Sequence, residues 1–296
     1  MTYLAIATLF LASAPAHGAD EDPFAKIEIT AEHVAGSVHM LTGAGGNIGA
    51  SVGPDGVLIV DDQFLPLADR IQTALSALPN APADPPVFVL NTHWHGDHTG
   101  GNPHFGKHSI IVAHDNVRQR LSVPHEKRGK VIEVPEVGWP VVTFGDSMSI
   151  HFNGEEIRLL HLPAGHTDGD MAVIFTGSKV VHTGDHFFKD RFPFVDLNSG
   201  GTVSGYANNV ATLLELAPPD AQVIPGHGGL ATLDDLRRFH GVITETKALV
   251  EAGQEAGKSL EKLQKQGLPE QYDSWGTGFI DTDRWIATIY GPASAD

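Results

Sequence analysis

Six consecutive residues, His93-Trp94-His95-Gly96-Asp97-His98, carry four potential metal ligands, and they come two residues after the apolar run 87–90. A continuous apolar run of that length marks a strand covered on both faces. The fold must therefore bring the end of a buried strand, loaded with imidazoles, to the rim of its sheet. If the chain leaves the strand in extended form, His93 and His95 point the same way, because strand side chains alternate. Two imidazoles from one strand end can then grip one metal ion. The turn eased by Gly96 brings Asp97 and His98 to a second position. Imidazole and carboxylate suit zinc and, less tightly, manganese or iron.

Three more segments place a ligand just past an apolar run. His166 lies in the glycine-flanked turn Ala164-Gly165-His166-Thr167-Asp168-Gly169-Asp170, Asp185 in His182-Thr183-Gly184-Asp185-His186, and His227 in Pro225-Gly226-His227-Gly228-Gly229. Each alone is an ordinary turn residue. Together they make four strand-end loops that converge on one rim, where a rigid scaffold carries its chemistry.

The rest of the chain supplies such a scaffold. Residues 38–42, 48–52, 57–61, 87–90, 110–113, 141–144, 147–152, 157–162, 171–175, 179–183 and 222–224 read as strands. Residues 67–78, 115–121, 203–216 and a long stretch over 233–266 read as helices, so the pattern predicts a layered α/β or α+β protein. The apolar fraction of 41% affords a core. Asp and Glu outnumber Lys and Arg by 36 to 19, a net charge of −17, which argues against nucleic acid or an anionic membrane as a partner. With no cysteine, disulfides, thiolate nucleophiles and Cys-ligated metals are excluded. No apolar run is long enough for a membrane span. Residues 1–11 are apolar and run into small residues at Ala14 and Ala16, which predicts a signal peptide over 1–19 with cleavage near 16–19 and a periplasmic or secreted protein. Residues 20–296 then form one domain with a C-terminal helical extension, in which Trp275, Trp285 and Tyr290 pack the last helices.

The run from His93 to His98, followed in order by His166, Asp185 and His227, resembles the metallo-β-lactamase superfamily over about residues 38–233. The resemblance implies an αββα sandwich of the α+β class with a dinuclear site on one edge. It implies that His93, His95 and His166 hold one metal, that Asp97, His98 and His227 hold the other, and that Asp185 bridges both. An aspartate at 185, where the best-known zinc β-lactamases carry cysteine, is more similar to glyoxalase II and lactonases. The implied function is a zinc-dependent hydrolase acting on a lactone, ester, thioester or β-lactam. Two metals about 3.5–4 Å apart share a water, lower its pKa toward about 7, and the hydroxide attacks the carbonyl. Asp97 is the expected catalytic carboxylate, orienting the hydroxide and passing its proton to the leaving group. A persulfide dioxygenase-like enzyme with iron is the alternative, and a nuclease of the same superfamily a further one.

Asp168 and Asp170 are candidates for fixing imidazole tautomers. Phe188, Lys189 and Arg191, in the phenylalanine-rich segment after Asp185, are candidates for binding a small-molecule substrate. The loop of residues 43–47 is a further candidate to approach the site. His186 turns away from the metals if the strand continues. The oligomeric state stays open.

Overall fold

The computed structural model describes residues 22–127 and 129–291, so the expected signal segment lies outside the described residues. The first half of the chain lays down β1 (Thr30–Ala35), β2 (Val38–Thr42), β3 (Ile48–Gly53), β4 (Gly56–Val60), α1 (Ala68–Ser76) and β5 (Phe88–Leu90). Two short helices, α2 (Gly96–Thr99) and α3 (Asn102–Phe105), lead to β6 (Ile110–His114) and α4 (Asp115–Leu121). The hairpin β7 (His125–Lys127) and β8 (Lys130–Ile132) precedes β9 (Val142–Phe144). The second half supplies β10 (Ser147–Phe152), β11 (Glu155–Leu162), β12 (Asp170–Phe175), β13 (Val180–His182), α5 (Val203–Leu216), β14 (Gln222–Ile224) and β15 (Ala231–Thr232). Three helices close the described chain: α6 (Leu233–Glu255), α7 (Leu260–Gln266) and α8 (Thr282–Tyr290).

Two mixed sheets result, one in the order β1-β2-β3-β4-β5-β6-β9 and the other β10-β11-β12-β13-β14-β15. The apolar strand runs explain why both faces of each sheet are covered. Along β4, Leu58 and Val60 point into the core shared with Leu159, Val173 and Phe175 of the other sheet. Val57 and Ile59 point the opposite way, against Ile71 and Leu75 of α1. On the second sheet Ala172, Ile174, Val181 and Val223 meet α5, α6 and α8 through Tyr206, Val210, Phe239, Ile243 and Trp285. The layers therefore run helix, sheet, sheet, helix, an α+β sandwich.

The long helical stretch over 233–266 is two helices, not one. A capping box of Thr232 and Asp235 starts α6. Its end is followed by Gly257 at φ +72°, a left-handed residue that breaks the ladder before Ser259 caps α7. Trp275 and Trp285 are buried in the second helical layer, as their aromatic character suggests. Trp285 is fully buried, stacks on Phe192 with ring centroids 5.5 Å apart, and donates its indole N–H to Thr246 Oγ1 at 2.9 Å. Trp285→Ala is expected to destabilise the protein by about 3–5 kcal/mol, because a cavity adds to the lost burial. Urea unfolding of the two proteins side by side measures this; a loss below 1 kcal/mol would show that the layer collapses freely around residue 285.

Candidate metal centre

Strand ends from both sheets meet on one edge. Past β5 come His93, His95, Asp97 and His98; past β11 comes His166; past β13, Asp185; past β14, His227. The two halves are stitched there by backbone bonds, Asn47 N donating to Gly226 O at 2.8 Å and Met171 N to Thr92 O at 2.7 Å, and within the second half Gly226 N donates to Gly184 O at 2.8 Å.

The seven candidate ligands fall into two groups, His93, His95, His166 and Asp185, and Asp97, His98 and His227, each with ligand atoms within 4.8 Å of one another. Asp185 faces both. Its Oδ1 lies 3.1 Å from His98 Nε2 and 3.3 Å from His227 Nε2, while Oδ2 lies 3.4 Å from His166 Nε2 and 3.8 Å from His93 Nε2. Asp97 Oδ2 is 3.5 Å from His227 Nε2 and 3.8 Å from His98 Nε2. Exposure is uneven. Asp97 and His227 are 29% and 21% exposed, whereas His93, His98, His166 and Asp185 are at most 5% exposed, so the centre opens over Asp97 and His227.

The imidazoles are oriented from behind. His98 Nδ1–H donates to Asp61 at 2.7 Å. His93 Nδ1–H reaches Thr92 Oγ1 at 3.1 Å, and that hydroxyl donates to Asp61 at 2.7 Å. His166 Nδ1–H donates to Phe194 O at 2.7 Å, and His95 Nε2–H to Asp196 Oδ2 at 3.0 Å. These bonds leave Nε2 of His93, His98 and His166, and Nδ1 of His95, as the atoms turned to the centre. Such outer carboxylates and carbonyls fix ring orientation and raise ligand basicity.

The expected role of Asp168 and Asp170 is not what the geometry shows. Asp168 accepts a two-pronged bond from Arg120, at 2.8 and 2.6 Å, and Asp170 accepts from Thr167 N and Oγ1 at 2.7 and 2.5 Å. Asp61 and Asp196 hold the imidazoles instead. Asp61 follows a buried strand, the same signal that marks the ligands, whereas Asp196 sits in an irregular loop with no sequence signal. His186 is buried away from the centre, stacked on Tyr206, and burial lowers its pKa to about 3. Tyr206 in turn donates to Asp185 O at 2.7 Å, fixing the backbone that carries the shared carboxylate. The 43–47 loop does approach the site. Gly46 lies flat on the His98 ring, where an added Cβ would stand 2.1 Å from Cε1.

Charge follows the same plan. Burial alone would raise Asp185, but His98, His227 and His166 hold its carboxyl well below the usual carboxylate range. Against burial, Asp185, Asp61 and Asp97 pull His98 well above its ordinary value. Burial pushes His93 well down and His166 to about 4, leaving both neutral with free lone pairs. The Nε2 atoms of His93 and His98 and Oδ1 of Asp185 are buried without a hydrogen-bond partner. Buried polar atoms are rarely left so. The donor set, four or fewer nitrogens and carboxylate oxygens around each of two points, fits divalent cations of the zinc type.

Of the substrate candidates, Phe188 is buried and stacks on His227 with ring centroids 5.0 Å apart. Lys189 is turned away, its Nζ donating to Leu230 O at 2.6 Å with Asp235 at 3.8 Å. Arg191 is half-buried beside a cavity that begins next to His227.

Comparison with known proteins agrees with this architecture. The sequence profile of the metallo-beta-lactamase superfamily matches residues 42–227. An atrochrysone carboxyl ACP thioesterase of Claviceps purpurea is 33% identical over 98 residues, 33% of this chain and 26% of the relative. A hydroxyacylglutathione hydrolase of Rhodopseudomonas palustris is 30% identical over 141 residues, 44% of this chain and 49% of the relative. The match thus spans at most about half the length of these relatives. A metallo-beta-lactamase from Pontibacter korlensis superposes with a TM-score of 0.60 over 73% of this chain and 99% of its own, at 15% identity.

Proposed function

The chain belongs to the metallo-β-lactamase superfamily, and on that premise we propose that it is an exported hydrolase with two zinc ions, acting on an ester or thioester carbonyl. The observation that carries this is Asp185, whose two oxygens face two different sets of imidazole nitrogens. His93, His95 and His166 would hold one ion, Asp97, His98 and His227 the other, and Asp185 both. When bound, such cations supply Lewis acidity toward a carbonyl oxygen and acidify water. The acyl chemistry is supported by two relatives, one named a thioesterase and the other a hydroxyacylglutathione hydrolase. The absence of any cysteine excludes a thiolate nucleophile. Export rests on the apolar run 1–11 with small residues at 14 and 16.

Within this site Asp97 is the carboxylate best placed to handle a proton. It is the most exposed of the ligands, and its Oδ2 lies between the Nε2 atoms of His98 and His227. An oxygen there can take a proton from attacking water and hand it to a leaving group. Buried Asp185, hemmed by imidazoles, holds charge and moves none.

Metal content by mass spectrometry, on protein purified without chelator or histidine tag, tests the proposal together with a panel of aryl ester and thioester substrates. Near two zinc ions per chain and turnover of one substrate are expected. One iron ion per chain with every substrate untouched overturns it. Asp97→Ala is expected to fold and to lose about 10²-fold or more in kcat, the usual contribution of a positioned acid–base group. Full activity in that variant would assign the proton transfer elsewhere.

A further inference from the structure

We propose that Asn47 is a positioning residue for His227, and that through it Asn47 sets how tightly the group of Asp97, His98 and His227 takes its ion. This deepens the two-ion reading above and rests on it. His227 is the odd one among the five imidazoles of the centre. The other four rings are each held from behind, by Asp61, Thr92, Phe194 O or Asp196. His227 Nε2 meets Asp97 and Asp185, which belong to the centre itself, and its ring stacks on Phe188. Among the described residues no outer group bonds to that ring. A stacked face fixes the plane of a ring but not the bearing of its nitrogens within the plane. For His227 that bearing has to come from the backbone that carries it.

One residue grips that backbone. Of the four consecutive carbonyls of residues 225–228, Asn47 donates to three: its Nδ2 to Pro225 O at 2.9 Å and to Gly228 O at 2.8 Å, and its N to Gly226 O at 2.8 Å. The fourth, His227 O, accepts from Lys189 N at 3.0 Å. Both hydrogens of the side-chain amide are thereby used, one on either side of His227. Asn47 is buried, so water does not compete for these bonds. It is anchored in turn. Its O accepts from Nε2–H of the fully buried His182 at 3.1 Å, and His182 Nδ1 accepts from Gly184 N at 3.2 Å, one residue before Asp185.

The residue before Asn47 serves the same group. Gly46 N donates to Asp97 O at 3.0 Å, and Gly46 lies on the His98 ring. Two adjacent residues of one hairpin loop thus reach Asp97, His98 and the backbone around His227, and neither has a hydrogen bond to His93, His95 or His166. The support is one-sided. Loosening it should cost one ion and spare the other, whereas a bond that only joins the two sheets would serve both groups alike.

Asn47→Ala removes the two side-chain bonds and keeps the main-chain ones, so the seam between the sheets stays joined. Metal-free protein is titrated with zinc in a calorimeter. Wild type is expected to take up two ions. Asn47→Ala is expected to bind one of them as wild type does and the other roughly 10- to 100-fold more weakly, the usual cost of losing an outer partner. Asn47→Asp has the same size but no donor for the two carbonyls, and is expected to do at least as badly. Proton NMR with cobalt(II) in place of zinc tells which ion is weakened, because the ring N–H of a cobalt-bound imidazole is shifted far from the other signals. Wild type is expected to show five such signals, three from His93, His95 and His166 and two from His98 and His227. Asn47→Ala at the same cobalt concentration is expected to keep the first three alone. Equal weakening of both ions overturns the proposal, as does an Asn47→Asp protein that binds both ions like wild type. Wild-type protein gives a check without a variant: both Asn47 side-chain amide protons are expected to resist exchange with water, and ready exchange of either overturns the proposal. A wild type that binds a single ion removes the two-ion reading and the proposal with it. Two ions bound, with no ester or thioester turned over, would keep the role of Asn47 and remove the hydrolase reading.

Discussion

Asp185→Ala protein is expected to lose more than roughly 10³-fold in kcat/KM, about 4 kcal/mol of transition-state stabilisation, and to be purified with less than one metal ion per chain. The reason is electrostatic. Two dications held close together repel one another, and Asp185 is the one carboxylate among the described residues whose oxygens reach toward both imidazole groups. Its removal leaves His93 and His166 with no carboxylate between their Nε2 atoms, and His98 and His227 with Asp97 alone. His98, which Asp185, Asp61 and Asp97 pull well above its ordinary value against burial, then loses the strongest of these three carboxylates. Asp185→Asn separates charge from volume: it fills the same space and is expected to fail nearly as badly. Metal content and kcat/KM measured on the same samples decide the matter, and two bound ions with near-normal turnover in either variant would remove Asp185 from the centre.

Asp61→Ala is expected to be the most damaging change at a residue that touches no metal. Asp61 is fully buried, and its carboxylate accepts from Thr92 N, Thr92 Oγ1 and His98 Nδ1, each at 2.7 Å. Alanine leaves these three donors without partners, at about 1–3 kcal/mol each, or roughly 3–9 kcal/mol in total. The same change frees the His98 ring and breaks the relay from His93 through Thr92, for which a further loss of about 10- to 100-fold in metal affinity is expected. Thermal unfolding with and without added zinc reads both effects. An Asp61→Ala protein as stable as wild type would mean that water replaces the carboxylate.

The ligand groups were legible in the sequence because each sits just past an apolar run, and sheet geometry turns such positions to a common rim. Helix α5 and strand β14 fall where periodicity and apolar runs put them. The break between α6 and α7 was hidden because the residues on either side of Gly257 keep helical character, and the interruption lies in the positive φ of Gly257 and the extended backbone of Ser259. The β7–β8 hairpin carries no alternation of apolar and polar residues, so no period announced it. Asp196 could not have been picked out, since its bond to His95 spans 101 positions and depends on where an irregular loop comes to rest. The same holds for Arg191 against Lys189. The two look alike as cations near Asp185, and only the packing of α6 shows that one is engaged and the other open.

Each ligand group draws on both sheets. His93, His95, Asp97 and His98 come from the first, His166, Asp185 and His227 from the second. Ions bound there would act as rivets through the seam of the sandwich. With free metal at a thousand times its dissociation constant, linkage adds about 4.1 kcal/mol to the folded state, and that gain resists the parting of the two sheets. A chain stripped of its ions would lose that gain, so the lifetime of the folded protein would be set by the same atoms that would set its turnover.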